Sequence, residues 1–323
     1  MRVLVTGADG FVGQHLVAAL MERGHAVTGG IRGASPAPGT LPGEIAAAVA
    51  WRDFDLRDST SVEELVAAAD PEAVLHLAGI SSVSESWQDP ETTFDVNATG
   101  ALRLLTALRR LPAPAGPRPV LLVSSGEVYG ADGTEETPLT EEMPIRPVTP
   151  YGASKAAQEL IADVLADPSR MRLVQTRSFQ QIGPGQRPTF VTVNWARQLL
   201  DIRDGAQAPV LRVGNLDIHR DFLDVRDATA AYITLMEDAP SGVFNVCSGR
   251  SCSLRRLLQL LQDAVGVSPE IRVAADRLRP AEIRSLVGSP RRLTDATGWT
   301  PAIPLEESIR TLVASLDHAP RPA

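Results

Sequence analysis

A single lysine, Lys155, stands in this chain of 323 residues, and every other fixed positive side chain is arginine. A sequence so poor in lysine has replaced it wherever arginine serves, so the survivor marks a place that needs a compact ammonium with a tunable pKa. Cysteine is almost as scarce. Cys247 and Cys252 are too few for a disulfide framework and lack metal-ligand spacing, so no metal is expected and a reducing cytoplasm is. Positive charge is in deficit overall: a net charge of -8 and a pI near 5.2 argue against nucleic acid or an anionic membrane as partner. An anionic ligand must therefore be held by local arginines. No apolar run is long enough to span a membrane, and the apolar residues 3–5 give way at once to Thr6-Gly7, so no signal-peptide core is expected.

What is present is a globular composition, 44% hydrophobic and 22% charged, enough for one large domain or a large and a small one. Short apolar, β-branched runs at 1–6, 25–28, 49–55, 73–78, 119–124 and 171–177 alternate with helical patterns near 13–23, 61–69, 93–110 and 151–166. Such alternation predicts an α/β fold of Rossmann type: a doubly wound parallel sheet with right-handed crossovers and helices on both faces. After about residue 178 the pattern changes to helical segments at 190–204, 226–237 and 253–265, with strand-like pieces at 210–213, 243–247 and 271–273. The expected organisation is a dinucleotide-binding domain over 1–178, to which 221–237 returns, and a smaller α/β substrate lobe over 179–323.

Gly7-Ala8-Asp9-Gly10-Phe11-Val12-Gly13 joins the first strand to the first helix. Glycines there permit a tight turn and a close backbone approach to a pyrophosphate, which then lies on the positive end of the helix. The second strand should end near the adenosine ribose. An NAD site would place a carboxylate at this tip, whereas the sequence reads Thr28-Gly29-Gly30-Ile31-Arg32. Arg32 is suited to a 2′-phosphate, which favours NADP(H) over NAD(H). Asp55 and Leu56 are expected to flank the adenine, and Leu77-Ala78-Gly79 to lie along the nicotinamide ribose.

Tyr151-Gly-Ala-Ser-Lys155 opens a helix after Pro150, with the tyrosine and the sole lysine four residues apart on one face. An adjacent ammonium stabilises phenolate and is expected to bring the tyrosine toward working pH for proton transfer. Upstream, Val123-Ser124-Ser125-Gly126-Glu127 ends a buried strand with a hydroxyl, that of Ser125, able to bond a substrate carbonyl.

Together these residues resemble the extended short-chain dehydrogenase/reductases, the NAD-dependent epimerase/dehydratase family, over nearly the whole chain. The resemblance implies that Tyr151 exchanges a proton with the substrate oxygen and that Ser125 bonds that oxygen. It implies too that Lys155 orients the nicotinamide ribose and that Asn97 supports the lysine through water. The segments 176–186, 213–222 and Arg279-Pro280-Ala281-Glu282 are most similar to GDP-6-deoxy-4-ketomannose reductases and their GDP-mannose dehydratase relatives. By that likeness Arg220 and Arg279 hold a sugar-nucleotide diphosphate, Glu282 holds the nucleotide ribose, and Gln180 and Val191 line the substrate site. Gln180 replaces the family's usual asparagine, which leaves the hexose and its C4 stereochemistry open. Glu127 stands where related dehydratases keep their C5 base, but related reductases can carry glutamate there too, so it leaves the reaction open.

The implied activity is NADPH-dependent reduction of a 4-keto-6-deoxyhexose on a nucleoside diphosphate. A 4,6-dehydratase, a 4-epimerase and a non-catalytic dinucleotide sensor stay open as alternatives. Helices 93–110 and 151–166 carry more apolar residues than one face needs, and family members often pack this pair into a four-helix bundle; a homodimer is expected.

Overall fold

The computed structural model describes the chain except residues 34, 35, 37, 38, 132, 275–282 and 319–323. The first half winds β1 (Arg2–Thr6), α1 (Phe11–Glu22), β2 (Ala26–Ile31), α2 (Gly43–Ala48), β3 (Ala50–Asp53), α3 (Ser59–Ala69) and β4 (Ala73–His76). Then come α4 (Val83–Gln88), α5 (Pro90–Phe94), a π-helical turn (Asp95–Thr99), α6 (Gly100–Arg110), β5 (Arg118–Ser125), a 3-10 turn (Gly126–Val128), α7 (Pro150–Leu165) and β6 (Met171–Ser178). The second half holds β7 (Gln180–Ile182), α8 (Val191–Arg203), β8 (Val210–Val213), β9 (His219–Arg220), β10 (Phe222–Asp224), α9 (Val225–Asp238) and β11 (Gly242–Val246). It closes with β12 (Cys252–Ser253), α10 (Leu254–Val265), β13 (Glu270–Val273), β14 (Ser285–Leu286), α11 (Arg291–Thr297) and α12 (Leu305–Asp317).

Seven parallel strands form the main sheet in the order β11-β6-β5-β4-β1-β2-β3. β1 shows why a continuous apolar run suits this place. Val3 and Val5 face the core formed with Leu16, Val17 and Leu20 of α1 and with α9, while Leu4, between them, faces the core shared with α3 and α6. A strand covered on both faces needs apolar residues at every position, not every second one. The sheet order reverses beside β1, between β1 and β4, and the crevice at the carboxyl ends of the strands at such a switch point is where ligands bind in open α/β sheets.

The segment 243–247, expected in the smaller lobe, is instead β11, the seventh strand of the main sheet, paired with β6 from Gly242↔Val174 to Val246↔Ser178. α9 packs on α1 and contributes Ala228, Ala231, Tyr232, Ile233, Leu235 and Met236 to the same core. A separate core joins α8, α10 and α12 through Trp195, Leu199, Leu257, Leu261, Ile309 and Leu312. The helical pattern at 93–110 is not one α-helix: near its start it widens into the π-helical turn that carries Asn97. Such turns frequently mark functional positions.

Candidate active site

The first loop is crowded enough to demand its glycines. Gly7 adopts φ 69°, and its N–H donates to Gly30 O at 2.8 Å. A Cβ on Gly7 would lie 2.8 Å from Ala78 N, and one on Gly13 only 2.1 Å from Gly7 O. Gly10 precedes α1 without a side-chain cap, and no acidic residue occupies the first turn, so the helix's unpaired N–H groups stay available to an anion. Phe11 and Val12 open α1, with the Phe11 ring edge-on to His15 at 5.9 Å. Behind the loop, Thr6 Oγ1 meets His76 Nδ1 at 2.7 Å and accepts Ala78 N–H at 3.3 Å, which presses Leu77-Ala78-Gly79 against the glycines. This cradle, which a single methyl would fill, fits a dinucleotide pyrophosphate.

At the adenosine end Arg32 is exposed just past β2. Asp53 Oδ1 accepts Gly33 N–H at 2.7 Å and so fixes the turn that presents it. Asp55 is gripped by the Arg57 guanidinium at 2.6 to 3.1 Å, which holds its carboxyl down at about 2. The Leu56 side chain, expected at the adenine, turns inward and is buried against Gly100. A leucine this near the sheet has its side chain drawn into the core with α3 and α6.

The reacting groups converge where β5 ends and α7 begins. Thr149 caps α7 by accepting Gly152 N–H at 2.9 Å, Pro150 occupies the first turn, and Ser86 Oγ accepts Tyr151 N–H at 3.1 Å. The Ser125 hydroxyl lies close enough to Tyr151 to bear on its ionisation, and its Oγ accepts the N–H of Glu127 at 3.2 Å. Lys155 Nζ donates to Val123 O at 2.7 Å and Gln158 Oε1 at 3.0 Å. An ammonium has three protons. The third has no hydrogen-bond partner among the described residues, and Nζ would stand 3.6 Å from a Cβ on Gly79. Asn97 exchanges two hydrogen bonds with the Ile80 backbone and donates to Ser154 Oγ at 2.9 Å, so it steadies the first turn of α7 directly.

The expected electrostatics need correcting. Burial pushes Tyr151 up to about 12; the Ser125 hydrogen bond opposes this, and the charge of Glu127 adds to it. Burial brings Lys155 down to about 8, with the Glu159 carboxylate opposing. With burial raising it, the tyrosine is a phenol at physiological pH rather than a poised phenolate.

On the substrate side Gln180 lies in β7, in register with Phe222. Val191 begins α8 and packs at the edge of the second core. Arg220 Nη1 donates to His219 O at 2.8 Å and Ile283 O at 3.0 Å. Arg279 and Glu282 fall outside the described residues. Sequence reasoning passed over Glu159 and Arg177, a buried ion pair at 2.9 Å beside Ser124, and also Tyr232, whose hydroxyl meets Ser178 at 2.7 Å and Gln181 at 2.6 Å. Glu159 was discoverable, since it continues the four-residue spacing of Tyr151 and Lys155.

The sequence model described as "GDP-mannose 4,6 dehydratase" matches residues 4–312. The chain belongs to this family. Within it, the chain is 38% identical to a GDP-6-deoxy-D-mannose reductase of Pseudomonas aeruginosa, over 99% of this chain and 98% of the relative. It is 29% identical to a GDP-mannose 4,6-dehydratase of Vibrio cholerae, over 97% and 92%. Among solved structures, RMD from Pseudomonas aeruginosa complexed with NADPH superposes with a TM-score of 0.82 at 35% identity, covering 98% of this chain and 99% of that one. The UDP-glucose 4-epimerase of Thermus thermophilus in complex with NAD gives 0.86 at 30% identity, covering 99% and 100%. Family membership therefore spans the sheet and the second core alike, and makes the chain a nucleotide-sugar enzyme of the extended short-chain dehydrogenase/reductase type.

Proposed function

We propose that this enzyme reduces the 4-keto group of a GDP-linked 4-keto-6-deoxyhexose with NADPH. The observation that carries the reading is identity of 38% with a reductase across essentially both whole chains, against 27 to 29% with bacterial dehydratases of the family. Arg32 at the tip of β2, with no carboxylate on that strand, supports the 2′-phosphorylated cofactor.

NADPH, when bound, supplies hydride to sugar C4. The chain's own part is to hold the ketone oxygen between the hydroxyls of Ser125 and Tyr151, and to deliver the Tyr151 proton as the oxygen becomes an alkoxide. A tyrosine held near 12 is fully protonated at the start, as a proton donor must be. Lys155 keeps one N–H for the nicotinamide ribose, and the glycine loop with the α1 N-terminus takes the pyrophosphate. Arg220 and the lobe after residue 179, apart from the segments returning to the sheet, would hold the nucleotide sugar.

The second reading is a 4,6-dehydratase, favoured by the family description. Deuterated NADPH separates the two. The reductase transfers deuterium to C4 of the 4-keto sugar. A dehydratase would convert GDP-mannose to a 4-keto product without added reductant, moving hydrogen internally from C4 to C6. We also read the chain as a cytoplasmic homodimer through α5, α6 and α7, whose exposed apolar residues include Phe94, Leu102, Leu160 and Val164.

A further inference from the structure

We propose that Glu159 is a positioning residue of the active site: locked between Ser124 and Arg177, it sets the face of α7 that carries Tyr151 and Lys155 against the strand end that carries Ser125, and supplies the counter-charge of the only lysine. The proposal rests on the assignment of those residues to the reaction.

Tyr151, Lys155 and Glu159 follow one another at four-residue steps along one face of α7. Each is stitched to the end of β5. Tyr151 stands beside Ser125, Lys155 donates to Val123 O at 2.7 Å, and Glu159 Oε1 accepts Ser124 Oγ–H at 2.6 Å. From β6, Arg177 forks onto the same carboxylate at 2.9 and 3.1 Å, donates to Glu141 O at 3.2 Å, and lies over the Tyr129 ring at 4.8 Å. Ser124, Glu159 and Arg177 are 2%, 2% and 4% exposed. A buried, fully bonded charge admits one geometry, because any slip of α7 along β5 leaves it unpaired. A structural ion pair alone would not have to sit beside the reacting lysine. Lys155 is faced by Glu159 from its own helix and by His76 from β4, which burial keeps neutral, pushed down to about 3. β5 and the π-helical turn bring it only Val123 O and Asn97, neither of which titrates, and Arg177 of β6 bears on it through Glu159.

The single lysine makes the test direct. Lysine isotopically labelled at Cε gives one resonance, whose titration reads Lys155 without any substrate. In folded Glu159→Gln its midpoint should drop by about one pH unit or more. The double variant Glu159→Gln/Arg177→Met, which also removes the counter-charge, serves if the single variant does not fold. Ser124→Ala, which keeps both charges, should lower kcat about tenfold with KM and NADPH affinity unchanged. An unmoved lysine midpoint, or a wild-type kcat in Ser124→Ala, overturns the proposal. A wild-type enzyme that turns over no 4-keto sugar defeats the functional reading instead, and the lysine titration still decides this one.

Discussion

Gly13→Ala isolates the geometric demand of the cofactor loop. The residue lies within α1, where alanine is the better helix former by about 1 kcal/mol, so any loss of stability must come from collision. The added methyl would stand 2.1 Å from Gly7 O and 2.9 Å from two backbone atoms of Ala8. Neither side can yield cheaply. Gly7 is pinned by its bond to Gly30 O, and α1 is held by Leu16, Val17 and Leu20, all fully buried. Relief therefore requires the loop and helix to separate by about 1 Å, which removes the close approach to the pyrophosphate. We expect a net destabilisation of about 2 to 3 kcal/mol and a fall in NADPH affinity of about 100-fold. Fluorescence titration with NADPH and urea unfolding with and without it measure both. Gly24→Ala is the control: φ is 79° and nothing lies within 4 Å, so it should lose about 1 to 2 kcal/mol from backbone strain yet bind NADPH normally. Wild-type NADPH affinity in Gly13→Ala would refute the reasoning.

Lys155 makes stability depend on pH in a stated window. Its folded value of about 8 lies below the unfolded 10.5, so between them the unfolded chain binds the extra proton; stability of the wild type relative to Lys155→Met should rise with pH across that window by up to about 3 kcal/mol. Paired urea melts at the two ends check this. Asp221, fully buried, accepts the N–H groups of Ser248 at 2.7 Å and Gly249 at 2.9 Å and the Ser248 hydroxyl at 2.6 Å, so Asp221→Ala orphans several donors and should destabilise by at least about 3 kcal/mol in the same assay. Val164 is 84% exposed on α7, and Val164→Asp should convert a dimer to monomers in sedimentation without lowering the stability of the monomer.

The parts of the fold and site that sequence made legible are local ones. A glycine loop between a buried strand and a helix, and a Tyr/Lys pair four apart behind a Thr-Pro start, each fit within one turn of chain. Sheet membership does not. Gly242–Val246 reads as a short strand wherever it lies, and only its partner β6 places it in the main sheet. The helices α11 and α12 carry no motif, so only the periodicity of 291–317 could have announced them. The burial of the Leu56 side chain is of the same kind, because position after a strand says nothing about which way a side chain turns. The protonation of Tyr151 has the same root: spacing gives the proximity of an ammonium, but burial and the carbonyl that competes for it, Val123 O, are properties of the folded chain.

The central claim, reduction with Tyr151 as proton donor, is met most directly by following NADPH absorbance with GDP-4-keto-6-deoxymannose for the wild type and Tyr151→Phe. Stoichiometric oxidation by the wild type, slowed by about 100-fold or more in a variant that binds NADPH normally, is the predicted result. No oxidation by the wild type, or equal rates in the two proteins, would contradict the account.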